Sequence, residues 1–292
     1  MRELTAILED AEFGRFAPGL LPAVLLRLCH KEHPGVIARI ASGIACQTIG
    51  SARSMHDVEV GGLRLRCRFS GSYSEKKFFF APWQFDLYER QYIADSLSRD
   101  GAFFDIGANV GIYTLTAALA MSDGGRVVSL EPDPETMSRL RFNIAATMMS
   151  VPNGPKIDTF QFGVADKESE FSLVIHPGNL GGSSIAEGKL QRLESLRLKT
   201  VAIRCRPLLD VCSEQAVTSI DILKIDIEGA EDIALAPFLN EAPESLLPGS
   251  IIIENSEKVW TQALPALLKS EGYSGVYRGE MNSIYKHDRC GH

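Results

Sequence analysis

Short apolar runs alternate with amphipathic segments over the last two-thirds of the chain. From Gly101 onward, apolar runs of strand length are separated by stretches with helical apolar spacing; the runs are AFFDIG, GRVVSLEP, KIDTFQFGVA, SIDILKID and GSIIIEN. Continuous apolar runs are typical of strands covered on both faces, and alternation with helices is typical of a parallel sheet. The pattern therefore predicts an α/β fold with a doubly wound, mostly parallel sheet. The ending, YSGVYRG and NSIYKH around a turn, predicts a C-terminal antiparallel hairpin strand.

Two regions depart from this alternation. Residues 1–75 combine helical apolar spacing with the segment VEVGGLRLRCRF, whose period of two predicts a hairpin turning at Gly61-Gly62. A second region, at about 168–206, has strand-like stretches and a glycine-rich loop, GNLGGSS. We predict an N-terminal helical and β accessory segment, 1–75, followed by one domain, 76–292, with a β insertion at about 168–206.

Composition narrows the classes of protein that this chain can represent. Its net charge of −7 argues against a protein that binds nucleic-acid backbone, which needs clustered Lys and Arg. The start lacks the features of a secretory signal, and no apolar run is long enough to cross a bilayer. Six cysteines lie scattered without metal-ligand spacing, as expected of reduced thiols. We expect a cytoplasmic protein without a membrane span.

The stretch FFDIGANVGIYT is a strand that ends in a glycine turn and opens a helix, an arrangement that lets backbone amides approach a ligand. It lacks the lysine of a phosphate-binding P-loop, and its glycine spacing does not match a dinucleotide fingerprint. The remaining candidate is the DxGxNxG turn that holds S-adenosylmethionine. This assigns Gly107, Ala108, Asn109 and Gly111 to cofactor binding, with Asp105 placed to balance the cofactor's ammonium directly or through water.

The next strand ends in an acid. Glu131 follows Gly111 by twenty residues and is followed by Pro132, which fixes the chain as it leaves the strand. An acid at this point can accept both ribose hydroxyls, as the corresponding acid does in dinucleotide folds. After the third strand, Asp166 is placed either to meet the adenine amino group or to lie exposed in a loop.

Together these motifs identify a family. FFDIGANVGIYT, VVSLEPDPETMSRLRFN, GGSSI and especially DILKIDIEGAE resemble the FkbM-type methyltransferases, over roughly residues 80–286. The resemblance implies a class I methyltransferase (Rossmann-like) fold, with a seven-stranded sheet that has one antiparallel strand. It also implies methyl transfer from S-adenosylmethionine, usually to a hydroxyl oxygen of a sugar, polyketide or similar metabolite.

The run SIDILKIDIEGAE places the candidate catalytic groups. Alternation puts Lys224 and Asp226 on the same side of one strand, and Glu228 just past its end. Burial of Lys224 requires a nearby carboxylate, so this residue is either half of an internal ion pair or a general base with a depressed pKa. We expect Asp226 to orient or deprotonate the acceptor hydroxyl. Glu228 organises the acceptor or simply suits a helix N-terminus.

Two further groups are weaker candidates. Asp226 and the pair Glu254-Asn255 end adjacent predicted strands and together resemble the magnesium site of catechol-type methyltransferases. A divalent metal is therefore left open and is not assigned. His176, in the insertion, is either a base near the acceptor or an exposed loop residue.

The leading interpretation is an S-adenosylmethionine-dependent O-methyltransferase that acts on a small hydroxylated acceptor. A nicotinamide-dependent oxidoreductase is the alternative enzyme, and a non-catalytic cofactor-binding or assembly module of the same fold is the alternative of a different class. The N-terminal segment is expected to cover the substrate or to mediate a homodimer. No nucleic-acid partner is expected.

Overall fold

The computed structural model describes residues 11–30, 35–49, 55–68, 73–176, 179–185 and 199–290. The helices are α1 (Leu20–Cys29), α2 (Val36–Ile49), α3 (Tyr73–Phe80), α4 (Leu87–Ser96), α5 (Ile112–Ala120), α6 (Pro134–Met148), α7 (Leu208–Glu214), α8 (Glu231–Glu241) and α9 (Leu264–Ser270). The strands are β1 (Met55–Val60), β2 (Leu63–Arg68), β3 (Ala102–Ile106), β4 (Arg126–Leu130), β5 (Lys156–Phe160), β6 (Gly163–Val164), β7 (Ser169–His176), β8 (Asn179–Ile185), β9 (Lys199–Arg206), β10 (Ile222–Ile225), β11 (Ser250–Glu254), β12 (Tyr273–Arg278) and β13 (Asn282–His287).

The apolar runs form a seven-stranded central sheet in the order β12-β13-β11-β10-β3-β4-β5. The five strands from β11 to β5 are parallel, and β13 runs antiparallel to both of its neighbours. This confirms the predicted doubly wound α/β class. Because β3 pairs with β4 on one side and β10 on the other, the strand order reverses at β3. Open α/β sheets bind ligands at such a point, beyond the carboxyl ends of the strands.

The third predicted strand is divided between two sheets. Its first part is β5, but after Phe160 the chain leaves the central sheet, and β6 pairs with β9 through Gly163↔Cys205 and Val164↔Arg206. The second sheet has the order β6-β9-β7-β8. The expected glycine-rich loop is wrong in part, because residues 179–185 form strand β8 against β7. The apolar pattern of the sequence does not show that the two parts of one run pair with strands of different sheets.

Contacts outside the helices set where α8 and α9 begin. Helix α9 begins at Leu264, because Pro265 suits a first turn and the preceding backbone is held elsewhere. The amides of Thr261 and Gln262 both donate to the Asp232 carboxylate, at 2.7 and 2.9 Å. Helix α8 begins at Glu231, whose carboxylate accepts the backbone amides of Ile227 and Gly229.

The hairpin of β1 and β2 packs directly on α6 through buried charges. Arg66 forms a bidentate ion pair with Asp57, at 2.8 and 3.1 Å, and its own amide donates to the Asn143 side chain. Arg139 of α6 pairs with Glu75 of α3, and both side chains are buried. Removing one partner of such a pair is strongly destabilising, so these contacts fix the first segment against the sheet domain. The predicted boundary near residue 75 stays a prediction.

The first two helices pack against each other and present an apolar outer face. The exposed side chains of this face are Leu20, Leu21, Val24, Leu28, Val36, Ile37, Ile40 and Ile44. No helix in the described part of the chain is long and apolar enough to cross a bilayer. Dimerisation through this segment stays a prediction.

Candidate active site

A cavity of about 400 Å³ lies beyond the carboxyl ends of β3, β4, β10 and β11. The start of α3, the approach to α4 and the turn between β12 and β13 contribute further walls. Its lining includes most of the residues predicted to bind a cofactor or an acceptor: Gly107, Ala108, Asn109, Glu131, Pro132, Lys224, Asp226 and Glu228. The fold therefore brings together residues from three separate motifs.

The glycine turn has a different physical basis from the one expected. Gly107 has φ +77°, and a Cβ placed on it would lie 1.9 Å from the carbonyl oxygen of Asp226. Glycine is required here because the backbone beyond β10 crosses directly over the turn, whereas the sequence suggested close approach of a ligand.

The amides of the turn are already engaged within the protein. Gly107 and Ala108 both donate to the carbonyl oxygen of Leu130 at 3.0 Å, and Gly111 donates to the carbonyl of Ala108 at 2.9 Å. Asn109 donates to the Glu131 carboxylate at 2.9 Å. A ligand at this turn therefore meets few free donors, a setting that suits a cation better than a phosphate.

Glu131 is held rigidly at the end of β4. One carboxylate oxygen accepts the amide of Asn109 and the other accepts the amide of Asp133, both at 2.9 Å. Burial raises the pKa of Glu131 to about 7, although these two hydrogen bonds oppose the shift. Each oxygen keeps a lone pair for a further donor, so the side chain can accept a vicinal diol.

Asp105 lies below the cavity rather than in its wall. It is 1% exposed, accepts a hydrogen bond from Thr114 Oγ1 at 2.5 Å, and stands opposite Lys224 in the register of β3 and β10. Burial raises the pKa of this carboxyl, and the neighbouring Lys224 ammonium opposes the shift. Direct contact of Asp105 with the cofactor ammonium is therefore not supported by its position, since it lies beside Lys224 and outside the cavity lining.

Lys224 forms the internal ion pair, the first of its two predicted roles. Its Nζ donates to Asp226 Oδ2 at 3.1 Å and lies 4.8 Å from the centroid of the Tyr113 ring. Burial lowers the pKa of Lys224, but the carboxylates of Asp226 and Asp105 outweigh burial and raise it above its ordinary value. A lysine that is harder to deprotonate is a poorer base, so this shift favours the ion-pair role, and the general-base role of Lys224 stays a prediction.

Two carboxyl groups in the cavity wall have raised pKa values, which favour their neutral, protonated form. Burial, with the charges of Asp226 and Glu254 nearby, raises the pKa of Glu228 to about 8. Burial, with Asp226 again contributing, raises the pKa of Glu254 to about 7. Strongly raised carboxyl pKa values cluster at functional sites, and both residues belong to one acidic wall beside Asp226.

Glu231 shapes the loop that carries Glu228. It is fully buried, and one carboxylate oxygen accepts the amides of Ile227 and Gly229 at 2.9 and 3.1 Å. The other oxygen accepts the indole N–H of Trp260 at 2.8 Å. The loop winds around this carboxylate, and Glu228 adopts φ +57° within it. The proposed helix-start placement of Glu228 is therefore wrong, because the residue lies three positions before α8.

Gly111 and Asp166 lie outside the cavity wall. Gly111 caps α5 with φ +95°. Asp166 is exposed beyond β6 and does not line the cavity, because β6 turns the chain into the second sheet before this residue. The prediction that Asp166 meets adenine is therefore not supported by its position. The side chain of His176 lies outside what the structure describes.

The side chain of Asn255 is engaged within the protein, and the divalent metal left open by the sequence stays open. Asn255, the expected third ligand, donates to the carbonyl of Gly279 at 3.0 Å and accepts from Ser283 Oγ at 2.6 Å. Across the described ranges, no group of three or more His, Cys, Asp or Glu side chains is placed to hold a metal ion.

With this geometry in place, comparison with known proteins decides the family. The model of the methyltransferase FkbM domain matches residues 105–274, which is more than half of the chain. The chain belongs to the FkbM-domain methyltransferases. The matched range begins at Asp105 and contains the glycine turn, Glu131 and the entire KIDIEGAE run.

Two curated relatives share about a quarter of their aligned residues with this FkbM-domain protein. One is the AMB antimetabolite synthetase AmbE of Pseudomonas aeruginosa, 26% identical over an alignment of 182 residues, with coverage of 50% of this chain and 8% of the synthetase. Another is the 2-O-methyltransferase NoeI of Sinorhizobium fredii, 27% identical over an alignment of 160 residues, with coverage of 50% of this chain and 61% of NoeI. The chain thus spans less than two thirds of either relative.

Two solved methyltransferase structures match this chain at low similarity. The FkbM methyltransferase of Methylobacillus flagellatus is 18% identical with a TM-score of 0.39, covering 86% of this chain and 60% of its own. A SAM-dependent methyltransferase of Agrobacterium tumefaciens is 11% identical with a TM-score of 0.43, covering 80% and 70%. At these scores the fold assignment for the FkbM-domain protein rests on the strand order of its own sheet.

Several residues of the cavity wall carried no sequence signal. Asp86 precedes α4 with φ +43° and accepts the hydroxyl of Tyr113 at 3.0 Å. Phe162 and Ile203 reach the cavity beside β6 and from β9, while Glu280, Met281 and Asn282 reach it from the β12–β13 turn. These segments are distant in sequence and lack a strand–turn–helix motif.

Proposed function

We propose that this protein transfers a methyl group from S-adenosylmethionine to a hydroxyl oxygen of a small metabolite. One observation carries the proposal: a single cavity is lined by the glycine turn, by Glu131 and by Asp226. The amides of the turn donate to protein oxygens, Glu131 accepts two backbone amides, and Asp226 accepts a hydrogen bond from Lys224. Membership of the FkbM-domain methyltransferases supplies the reaction class. The name of the relative NoeI, a 2-O-methyltransferase, favours oxygen as the accepting atom.

The cavity suits this cofactor better than a dinucleotide. Four amides of the turn donate to protein oxygens, whereas a pyrophosphate requires such amides for itself. The acidic lining, which includes Glu131, Asp226 and Glu228, attracts a sulfonium and an ammonium and repels phosphate. Glu131 would hold the ribose hydroxyls, and the apolar side chains of Phe162 and Ile203 line the same cavity and would pack on the adenine ring.

Asp226 is the residue placed to orient and deprotonate the acceptor hydroxyl. Bound S-adenosylmethionine supplies an activated methyl group, so the protein needs mainly to position the acceptor in line and to exclude water. Asp226 stands directly after β10 at the cavity, where its carboxylate accepts the hydroxyl proton as the oxygen takes the methyl group. Lys224 fixes the orientation of that carboxylate through the 3.1 Å contact. Asp105 and Tyr113 in turn position Lys224.

Calorimetric titration of the purified protein with S-adenosylmethionine and, separately, with NAD tests the cofactor. We expect binding of S-adenosylmethionine in the micromolar range and loss of that binding in Glu131→Ala. The matched control is Glu241→Ala, which removes an exposed carboxylate at the end of α8 and should bind as the wild type does. Binding of NAD, or of neither ligand, would refute the proposal.

The Asp226→Asn variant distinguishes an enzyme from a non-catalytic module of the same fold. If the protein is an enzyme, this variant keeps cofactor affinity and loses turnover with any acceptor that the wild type methylates. Equal turnover in the variant would remove Asp226 from the mechanism.

A further inference from the structure

The turn between β12 and β13 brings an unsatisfied polar atom to the cavity. Asn282 lines the cavity and is 2% exposed, and its Oδ1 has no hydrogen-bond partner within the described part of the chain. The Asn282 side chain lies near Glu89 and lowers the pKa of that carboxyl, although burial raises it overall. A buried carbonyl oxygen without a donor is costly and rare. A bound molecule that offers a donor at this point would satisfy it.

The neighbours of Asn282 have the same chemical character. Glu254 is its direct partner in the antiparallel register of β11 and β13. Asp226 and Glu228 line the same cavity, and both lie close enough to other acids there to interact electrostatically. Each of these groups accepts hydrogen bonds and none carries positive charge. The lining contains two lysines among the described residues, Lys77 and Lys224, and Lys224 is already paired with Asp226.

We propose that Asn282, Glu254 and Glu228 form a subsite for a primary ammonium group of the acceptor, so that the substrate is a hydroxylated amine. An ammonium offers three donors and one positive charge, which suits an amide oxygen and favours the ionised form of the two carboxyl groups beside it. A neutral hydroxyl offers one donor and no charge, and a carboxylate is repelled. The inference rests on the proposed methyl transfer and specifies its substrate class.

The subsite is distinct from the groups that hold the cofactor. Glu131 and the glycine turn belong to the ends of β3 and β4, whereas Glu254 ends β11 and Asn282 begins β13. In the sheet order, β10 separates these two pairs of strands. Asp226 follows β10 and therefore lies between them, where a methyl group and an acceptor hydroxyl have to meet.

The test uses the full chain with S-adenosylhomocysteine, the product of methyl transfer, bound in the half of the cavity that is assigned to the cofactor. Glucosamine, glucose and glucuronate are titrated in parallel as probes that share a hydroxylated ring and differ in charge. We expect glucosamine to bind at least tenfold more tightly than glucose, and glucuronate to bind least. Asn282→Leu and Glu254→Gln should each reduce the preference for glucosamine to a few-fold. Glu257→Gln, which removes a nearby carboxylate outside the cavity, should leave the preference unchanged.

The outcomes separate this inference from the proposed function. If S-adenosylhomocysteine and S-adenosylmethionine fail to bind, the methyl-transfer proposal itself fails. If they bind but glucosamine shows no advantage over glucose at millimolar concentration, the amine subsite is refuted while methyl transfer stands. If Asn282→Leu instead weakens S-adenosylmethionine binding and leaves probe selectivity intact, the atom serves the cofactor ammonium, and the inference is again refuted.

Discussion

Gly107 and Asp226 meet where the backbone after β10 crosses the turn after β3. The carbonyl oxygen of Asp226 lies 1.9 Å from the position that a Cβ on residue 107 would occupy. The amide of Asp226 donates in turn to the carbonyl of Ile106 at 3.0 Å. Backbone contact thus fixes the glycine turn, which lies at the proposed cofactor site, against Asp226, which is proposed to bind the acceptor hydroxyl. Their relative position does not depend on a bound ligand.

Gly107→Ala should therefore damage the fold before it affects ligand binding. The substitution forces backbone movement at a residue with φ +77°, and we expect a loss of about 3 kcal/mol or more in the free energy of unfolding. Urea denaturation measures the loss. Gly43→Ala is the control: it lies inside α2 with open space around it, and it should stabilise by about 0.5–1 kcal/mol. A stable Gly107→Ala protein that merely binds cofactor poorly would contradict this account.

The strand ends could be predicted from sequence because local patterns encode them. The runs AFFDIG, GRVVSLEP, SIDILKID and GSIIIEN became β3, β4, β10 and β11, and parallel strands bring their carboxyl ends to one edge. Glu131, Asp226 and Glu228 accordingly line one cavity.

Other features depend on contacts between distant segments. Asp166 follows an apolar run that suggested a strand of the central sheet, but pairing of β6 with β9 carries it away. Asn282 occupies the wall because β13 pairs antiparallel with β11. The direction of the Lys224 pKa shift depends on two carboxylates whose combined effect exceeds that of burial. No period or spacing in the sequence reports such balances.

Lys224→Met should be strongly destabilising at neutral pH. The substitution removes the cation beside Asp105 and Asp226 and leaves buried negative charge unpaired, which costs about 3–5 kcal/mol. Adding Asp105→Asn should recover part of the loss because it removes one of the orphaned charges. Chemical denaturation of the single and double variants measures both effects. Lys156→Met, at an exposed lysine paired with Asp158, is the control and should change stability by less than about 1 kcal/mol. A Lys224→Met protein as stable as the wild type would show that the ion pair contributes nothing.

Glu228→Gln should stabilise the ligand-free protein at pH 8.5 and not at pH 5. The pKa of Glu228 is raised from 4.5 to about 8 in the folded protein, so the folded state holds a proton that the unfolded state has lost between these values. Stability from this group is therefore present below pH 4.5 and is lost as pH rises toward 8. Glutamine mimics the protonated form at every pH. We expect a gain of about 1 kcal/mol or more at pH 8.5, after allowance for solvent screening.

Denaturation of wild type and Glu228→Gln at both pH values measures this difference. Glu170→Gln, at an exposed acid of β7, controls for the loss of one carboxylate from the chain and should show little change at either pH. An equal gain from Glu228→Gln at pH 5 and pH 8.5 would assign the effect to packing rather than to charge.

Cofactor affinity should rise with pH through the titration of Glu131. The pKa of this carboxyl is about 7 because burial disfavours its charged form, and only the ionised carboxylate accepts two ribose hydroxyls with both oxygens. S-adenosylmethionine is a cation, so its binding also favours ionisation. We expect affinity to increase about tenfold between pH 6 and pH 7.5, as measured by calorimetry. In Glu131→Gln, affinity should be lower, and the contribution of this residue to the pH dependence should disappear. If the variant follows the same pH curve as the wild type, another acid of the cavity controls cofactor binding, and Glu131 does not have the role assigned to it.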